Sequence, residues 1–188
     1  MLSKVSVLIL GIIAEKPLNP YEITKLLEKI HIKNWFSIAA SSVYVTIKKL
    51  DKKDYIIGET IKEGNMPEKT IYTVTEKGKM ALSDALVEFL LDTELDPVKF
   101  NIATIMLCHL KKDEALKVLE KRMFLLENYE KGIKKHYHQS KEIKTPFTGL
   151  KVISHNICLV QMELKLAREL LAEVKKDDKW NHFVARDL

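Results

Sequence analysis

The stretch SSVYVTIKKLDKKDYIIGETIKE, residues 41–63, changes period in its middle. Val43, Ile47 and Leu50 recur at intervals of four and three, which lines one side of an α-helix, and Ser41 or a near neighbour is expected to cap a helix running to about residue 53. Tyr55–Glu63 is instead rich in Ile, Tyr and Thr. A second run of that kind, Lys69–Thr75, follows after Gly64-Asn65-Met66-Pro67, so the two runs predict a two-stranded antiparallel hairpin. Two strands alone are marginal in water, and this hairpin has to lean on the helices before it.

Working outward, Ser3–Glu15 is almost continuously apolar, which predicts a first helix covered on most sides. In Pro17-Leu18-Asn19-Pro20, Asn19 suits an N-cap and Pro20 the first helical position, opening a second helix through Ile30. Its inward face is Ile23, Leu26, Leu27 and Ile30. Trp35 and Phe36 fall in the following loop and are expected to plug the gap between helices. Downstream of the hairpin, Glu76–Leu91 predicts a fourth helix with Met80, Leu82, Ala85, Leu86, Phe89 and Leu90 available for burial. Helix, helix, helix, hairpin is the order of a winged helix-turn-helix.

The second half is helical throughout. Asp96-Pro97 opens an almost wholly apolar helix containing Val98, Phe100, Ile102, Ala103, Ile105, Met106, Leu107 and Leu110. Asp113 can cap the next, with Leu116, Leu119, Met123, Leu126, Ile133 and Tyr137 at spacings of three and four broken only at Glu130. After a break at Thr145-Pro146-Phe147-Thr148-Gly149, the last long helix carries Leu150, Ile153, Ile157, Val160, Leu164, Ala167, Leu171 and Val174 at strict heptad spacing. Two such helices can pack on each other within one chain. Leu159, Leu166 and Leu170 widen the apolar surface of the last one beyond a narrow seam, so a homodimer is expected. Its expected seam is Leu119, Met123, Leu126 and Ile133 on one helix and Ile153, Ile157, Val160, Leu164, Ala167, Leu171 and Val174 on the other. Trp180, His182 and Phe183 lie in a charged tail, read as a packed or frayed terminus.

Composition bounds the function. The 188 residues are 46% hydrophobic and 30% charged, with six glycines and five prolines, which excludes disordered and collagen-like chains. The expected division is residues 1–92 and 93–188. Val7–Ala14, the longest apolar run, falls short of the roughly 20 residues a membrane-spanning helix needs. With one basic residue before it and no cleavage signal after, it is expected to be a core helix rather than a leader. Cys108 and Cys158 lack metal spacing and are expected to be reduced core thiols of a cytoplasmic protein. No two of the six histidines are four apart, so no metal is expected. No phosphate loop, nucleophile elbow or other catalytic signature is present, so neither an enzyme nor a cofactor is expected.

The net charge of +5 splits unevenly. Residues 1–92 hold 13 lysines and 12 acidic residues, a net +1, and no arginine. Binding of DNA by this half would therefore rest on local placement. Opposite the buried stripe of the third helix stand Ser41, Val45, Lys48, Lys49 and Lys52, small residues near its start and basic ones near its end. That suits a recognition helix: Ser41 and Ser42 can hydrogen-bond base edges, Val45 can touch a thymine methyl, and the lysines can reach phosphates. Tyr44, between the two faces, could give its hydroxyl to a phosphate. In the wing, Lys62 and Lys69 are candidate phosphate contacts and Asn65 a minor-groove probe.

The sequence also resembles a known family. Leu8-Ile9-Leu10-Gly11, Pro17-Leu18-Asn19-Pro20-Tyr21-Glu22-Ile23, Ser42-Val43-Tyr44 and Tyr72-Thr73-Val74-Thr75-Glu76-Lys77-Gly78 together are similar to the PadR family of transcriptional regulators. The family often has Gly where this chain has Pro20, and Arg where its wing has Gly64–Lys69. The resemblance implies a mainly α fold with a small two-stranded β wing: an N-terminal winged helix-turn-helix and a C-terminal α-helical dimerisation domain. It implies a phosphate contact by Tyr21, a homodimeric repressor on a two-fold symmetric double-stranded operator, and a response to a small hydrophobic effector such as a phenolic acid. The competing readings are a winged-helix protein-interaction adaptor that binds no DNA and, more remotely, a carrier of hydrophobic ligands.

Overall fold

The computed structural model describes residues 2–62 and 68–180. The chain forms α1 (Lys4–Glu15), α2 (Pro20–Lys29), α3 (Ala40–Asp51), β1 (Ile56–Ile61), β2 (Lys69–Val74), α4 (Glu76–Leu91), α5 (Pro97–Ile105), α6 (Lys112–Glu142) and α7 (Phe147–Lys176). It is mainly α, with one two-stranded antiparallel sheet, and its first part is a winged helix. Two compact units divide it: residues 1–89 with 98–111, and 90–97 with 112–180 among the described residues. α5 falls with the first unit. Among the described residues no helix is long and apolar enough to cross a membrane.

In the first unit, α1 is buried from Ser6 to Ile13 without a break. Asn19 caps α2 in a reciprocal box, its Oδ1 accepting from the Glu22 amide at 3.0 Å while Glu22 Oε2 accepts from the Asn19 amide at 2.9 Å. The loop after α2 is filled by Ile32, 2% exposed; Trp35 and Phe36 stack on each other at 6.2 Å and stay half-buried, so they are not the plug. A 3-10 turn at Ile32–Asn34 turns that isoleucine inward. α5 ends at Ile105, and the apolar run continues as a second 3-10 turn, Leu107–His109.

The wing's support is a backbone bridge. Leu18 donates to the Tyr72 carbonyl at 3.2 Å and Tyr72 donates to the Leu18 carbonyl at 3.0 Å, adding one residue of the α1–α2 turn to the edge of β2. The Thr75-Glu76-Lys77-Gly78 segment joins wing and helices. The Thr75 hydroxyl donates to the Asp54 carbonyl at 2.7 Å and accepts from the Gly78 amide at 3.0 Å. α4 can sit this close only because residue 78 has no side chain: a Cβ there would lie 2.0 Å from the Tyr55 carbonyl oxygen.

In the second unit, α6 and α7 form an antiparallel hairpin. α7 begins at Phe147, so the expected break at 145–149 is mostly the first turn of the helix. Leu126, Val160 and Leu164 centre its core, with Leu95 packed against them. Arg122 is buried beside them, 2% exposed, donating to the Leu90 and Asp92 carbonyls at 2.7 and 2.9 Å and to Glu163 Oε2 at 2.6 Å. Neither cysteine is in a disulfide; Cys158 on α7 is exposed and Cys108, in the 3-10 turn after α5, is half-buried, so neither is the core residue that its apolar neighbours in sequence suggested.

Two pairs of substitutions check this packing. Gly78→Ala should destabilise by about 2 kcal/mol or more, since the clash is with backbone, whereas Gly132→Ala, in open space on α6, should stabilise by about 1 kcal/mol. Arg122→Ala should cost about 3–5 kcal/mol by stranding the buried Glu163 charge, and Glu163→Gln, which keeps an acceptor for Arg122, should cost less. Urea unfolding followed by far-ultraviolet circular dichroism measures all four.

Candidate nucleic-acid interface

The geometry of α3 follows from its stripe. Val43, Ile47 and Leu50 are each 1% exposed, and Thr46 joins them inside. Everything at the opposite side must then face solvent: Ser41, Tyr44, Val45, Lys48, Lys49 and Lys52 are exposed, and Ser42 is half-buried. Tyr44 and Val45 remain 46% and 50% exposed. Tyr44 and Val45 thus stand side by side as a pair of exposed apolar side chains on this face. Lys48 and Lys49 occupy the last turn, where they also offset the helix dipole. The expected serine cap is absent: α3 begins at Ala40 behind Ala39, which offers no side-chain acceptor, and both serines fall inside the first turn.

The other predicted contacts sit on two more elements. Tyr21, in the first turn of α2, is 62% exposed. Lys25, one turn on, holds its ammonium 5.8 Å from that ring and 3.2 Å from Glu28 Oε2. The hydrogen bond to Glu28, then its charge, pushes the Lys25 pKa up. Sequence reading missed Lys25, although its i, i+4 relation to Tyr21 was available. In the wing, Lys69 pairs across from Ile61 and is half-buried, and the next residue on the other strand, Lys62, is exposed. The exposed Thr60 and Thr70 hydroxyls, 3.2 Å apart across the strands, are further polar groups there that the strand pattern did not single out. Asn65 lies outside the described residues, as do His182 and Phe183; Trp180 is half-buried.

The expected dimer seam is occupied inside the chain. Leu119, Leu126, Val160, Leu164, Ala167, Leu171 and Val174 are all buried, and Met123, Ile133, Ile153 and Ile157 are half-buried. Heptad spacing identified the stripe and could not say which surface covers it. The apolar side chains of this hairpin that do reach solvent are others, among them Phe124, Val152, Met162 and Leu166.

Residues 9–84 match the model of the transcriptional regulator PadR-like family. A curated relative, the negative transcriptional regulator PadR of Bacillus subtilis (strain 168), is 29% identical over 107 residues, 57% of this chain and 58% of the relative, so the chain matches a little over half of that protein's length. Similar solved structures include Bacillus subtilis PadR in complex with operator DNA, with a TM-score of 0.43 and 22% identity over 90% of this chain and 98% of that one. Another is Bacillus subtilis PadR in complex with p-coumaric acid, with a TM-score of 0.42 and 20% identity over 92% and 99%.

Proposed function

We propose that this chain, PadR-like over residues 9–84, is a sequence-specific DNA-binding transcriptional regulator acting in the cytoplasm without catalysis, as a homodimeric repressor. The observation that carries the reading is the outer face of α3, where Ser41, Tyr44, Val45, Lys48, Lys49 and Lys52 are all exposed on a winged helix. Residues near the start of α3 would meet base edges; Lys48, Lys49 and Lys52, Tyr21 on α2, and Lys62 and Lys69 in the wing would meet phosphates. Lys25 keeps its charge, although a phosphate would have to draw it from Glu28.

The division of labour we propose gives DNA to residues 1–92 and dimerisation to residues 93–188. Because the inner seam of the α6–α7 hairpin is consumed within the chain, a second copy would meet the outer stripe of α7 instead. Val152, Leu159, Met162 and Leu166 lie there at intervals of seven, three and four, with Leu159 half-buried and the rest exposed. Pairing two copies would place two recognition helices about one turn of DNA, roughly 34 Å, apart and would require a two-fold symmetric operator. A small hydrophobic effector at the C-terminal helices would change affinity by favouring one packing of the dimer over another.

Gel-shift titration against the region upstream of the protein's own gene, at two salt concentrations, tests the reading. Specific retardation that weakens with salt is expected, and no specific retardation at either salt would favour the adaptor instead. Lys48→Ala with Lys49→Ala removes four phosphate contacts from a dimer and should lower the slope of log affinity against log salt by roughly 3.6, with the dimer intact. An unchanged slope would mean that the lysines face solvent only. Met162→Glu with Leu166→Glu should convert the dimer to folded monomers by sedimentation velocity.

A further inference from the structure

Among the described residues, one trio of mixed donors converges away from the α3 face: Glu15, Cys108 and His109, all half-buried. Cys108 Sγ and His109 Nε2 each lie 3.7 Å from the same Glu15 oxygen, Oε1, and the three donor atoms are all within 4.8 Å of one another. The nitrogen-to-oxygen separation is too long for an N–H···O hydrogen bond. It is close to an edge of the coordination tetrahedron around zinc, about 3.3–3.6 Å for bonds to sulfur, nitrogen and oxygen of ordinary length.

The backbone explains the convergence. A Cβ on Gly11 would lie 2.5 Å from Met106 Sδ, so α1 and the chain after α5 come so close that a side chain there would have to displace the Met106 thioether. Glu15 stands one helical turn beyond Gly11 on the same side of α1. Met106 leads directly into the 3-10 turn that carries Cys108 and His109. All of these residues belong to the first unit.

We infer that Glu15, Cys108 and His109 form a site for a divalent transition-metal ion, with zinc the cation that fits the donors. Thiolate, imidazole and carboxylate are the zinc ligand set; calcium and magnesium require oxygen donors throughout, and thiolate with imidazole excludes them. Glu15 and His109 side chains are 11% and 13% exposed, which admits a water as fourth ligand. Binding would displace the Cys108 thiol proton into solvent and leave His109 neutral, with Nε2 bonded to the metal. The ion would clamp the end of α1 to the turn after α5. This inference stands apart from the DNA-binding reading, and either can fail alone.

The test is cobalt(II) titration of the full-length protein, reduced and free of any histidine tag. One equivalent should produce a sulfur-to-cobalt charge-transfer band that added zinc removes, since zinc binds such sites more tightly. Cys108→Ser should abolish the band, Cys158→Ser should retain it, and His109→Gln and Glu15→Gln should each weaken binding about tenfold or more. Circular dichroism on each variant verifies folding. No band in the folded wild type, or a band that survives Cys108→Ser, overturns the site.

Discussion

The structure depends on a helix that cannot show any side to water. Val7, Leu8, Ile9, Leu10 and Ile12 are fully buried and Ile13 nearly so, which amounts to on the order of 10 kcal/mol of gross hydrophobic stabilisation in one helix of twelve residues. An amphipathic helix needs one neighbour; α1 needs a ring of them. α3 and β2 both pack against it, and Met106 closes in at Gly11. The position of α3 and of the wing strand is therefore set by what α1 requires. α3 turns Val43, Ile47 and Leu50 toward the core, and its outer face follows from that by geometry. β2 is held twice, by α1 and by the Leu18–Tyr72 bridge, which is why a two-stranded wing is stable at all.

What the sequence disclosed divides by range. The Asn19 cap and the stripe of α3, which runs from Val43 to Leu50, were both legible, as was the switch of period at residue 55, while the reciprocal bond that the Asn19 amide donates to Glu22 emerged only with the structure. The pattern Thr75-Glu76-Lys77-Gly78 could be matched to a family without its cause being visible. That cause is tertiary: Thr75 bonds the Asp54 carbonyl and Gly78 makes room for Tyr55, both about 20 positions back. Buried polar groups were least legible. Arg122 and Glu163 are 41 residues apart, and Glu15 reaches Cys108 across 93. Spacing rules for metals look along one helix, and they could not have paired a ligand on α1 with two on a turn after α5.

The charge distribution illustrates the same limit from the other side. A net charge of +5 invites the idea of a basic protein drawn to polyanions, yet the half with the winged helix carries only +1. Several of its lysines are already engaged: Lys25 with Glu28, Lys77 with Asp54, and Lys79 with Glu76. These exposed pairs add little stability, and they shorten the roster of lysines that could serve phosphate. The three on the outer side of α3 then count for more than their share of the total. On the DNA-binding reading proposed above, a weakly charged first half would give modest affinity per half-site, and two copies on one operator would multiply it through effective concentration.

That consequence returns the weight to the helical unit, where the inner and outer faces of α7 answer different questions. The seam through Val160, Leu164, Ala167, Leu171 and Val174 is closed by α6 within the chain, so substituting there perturbs the fold of the chain itself. Scattered exposed apolar residues need no explanation. Val152, Leu159, Met162 and Leu166 are not scattered: they keep three-and-four spacing along one line of the helix, and with Phe124 exposed on α6 the line has the character of a surface awaiting a neighbour. A heptad pattern on a long helical hairpin therefore has two parts, one that makes the hairpin and one that remains after it is made. Only the second is available to a second copy, and it emerges once the first has been subtracted.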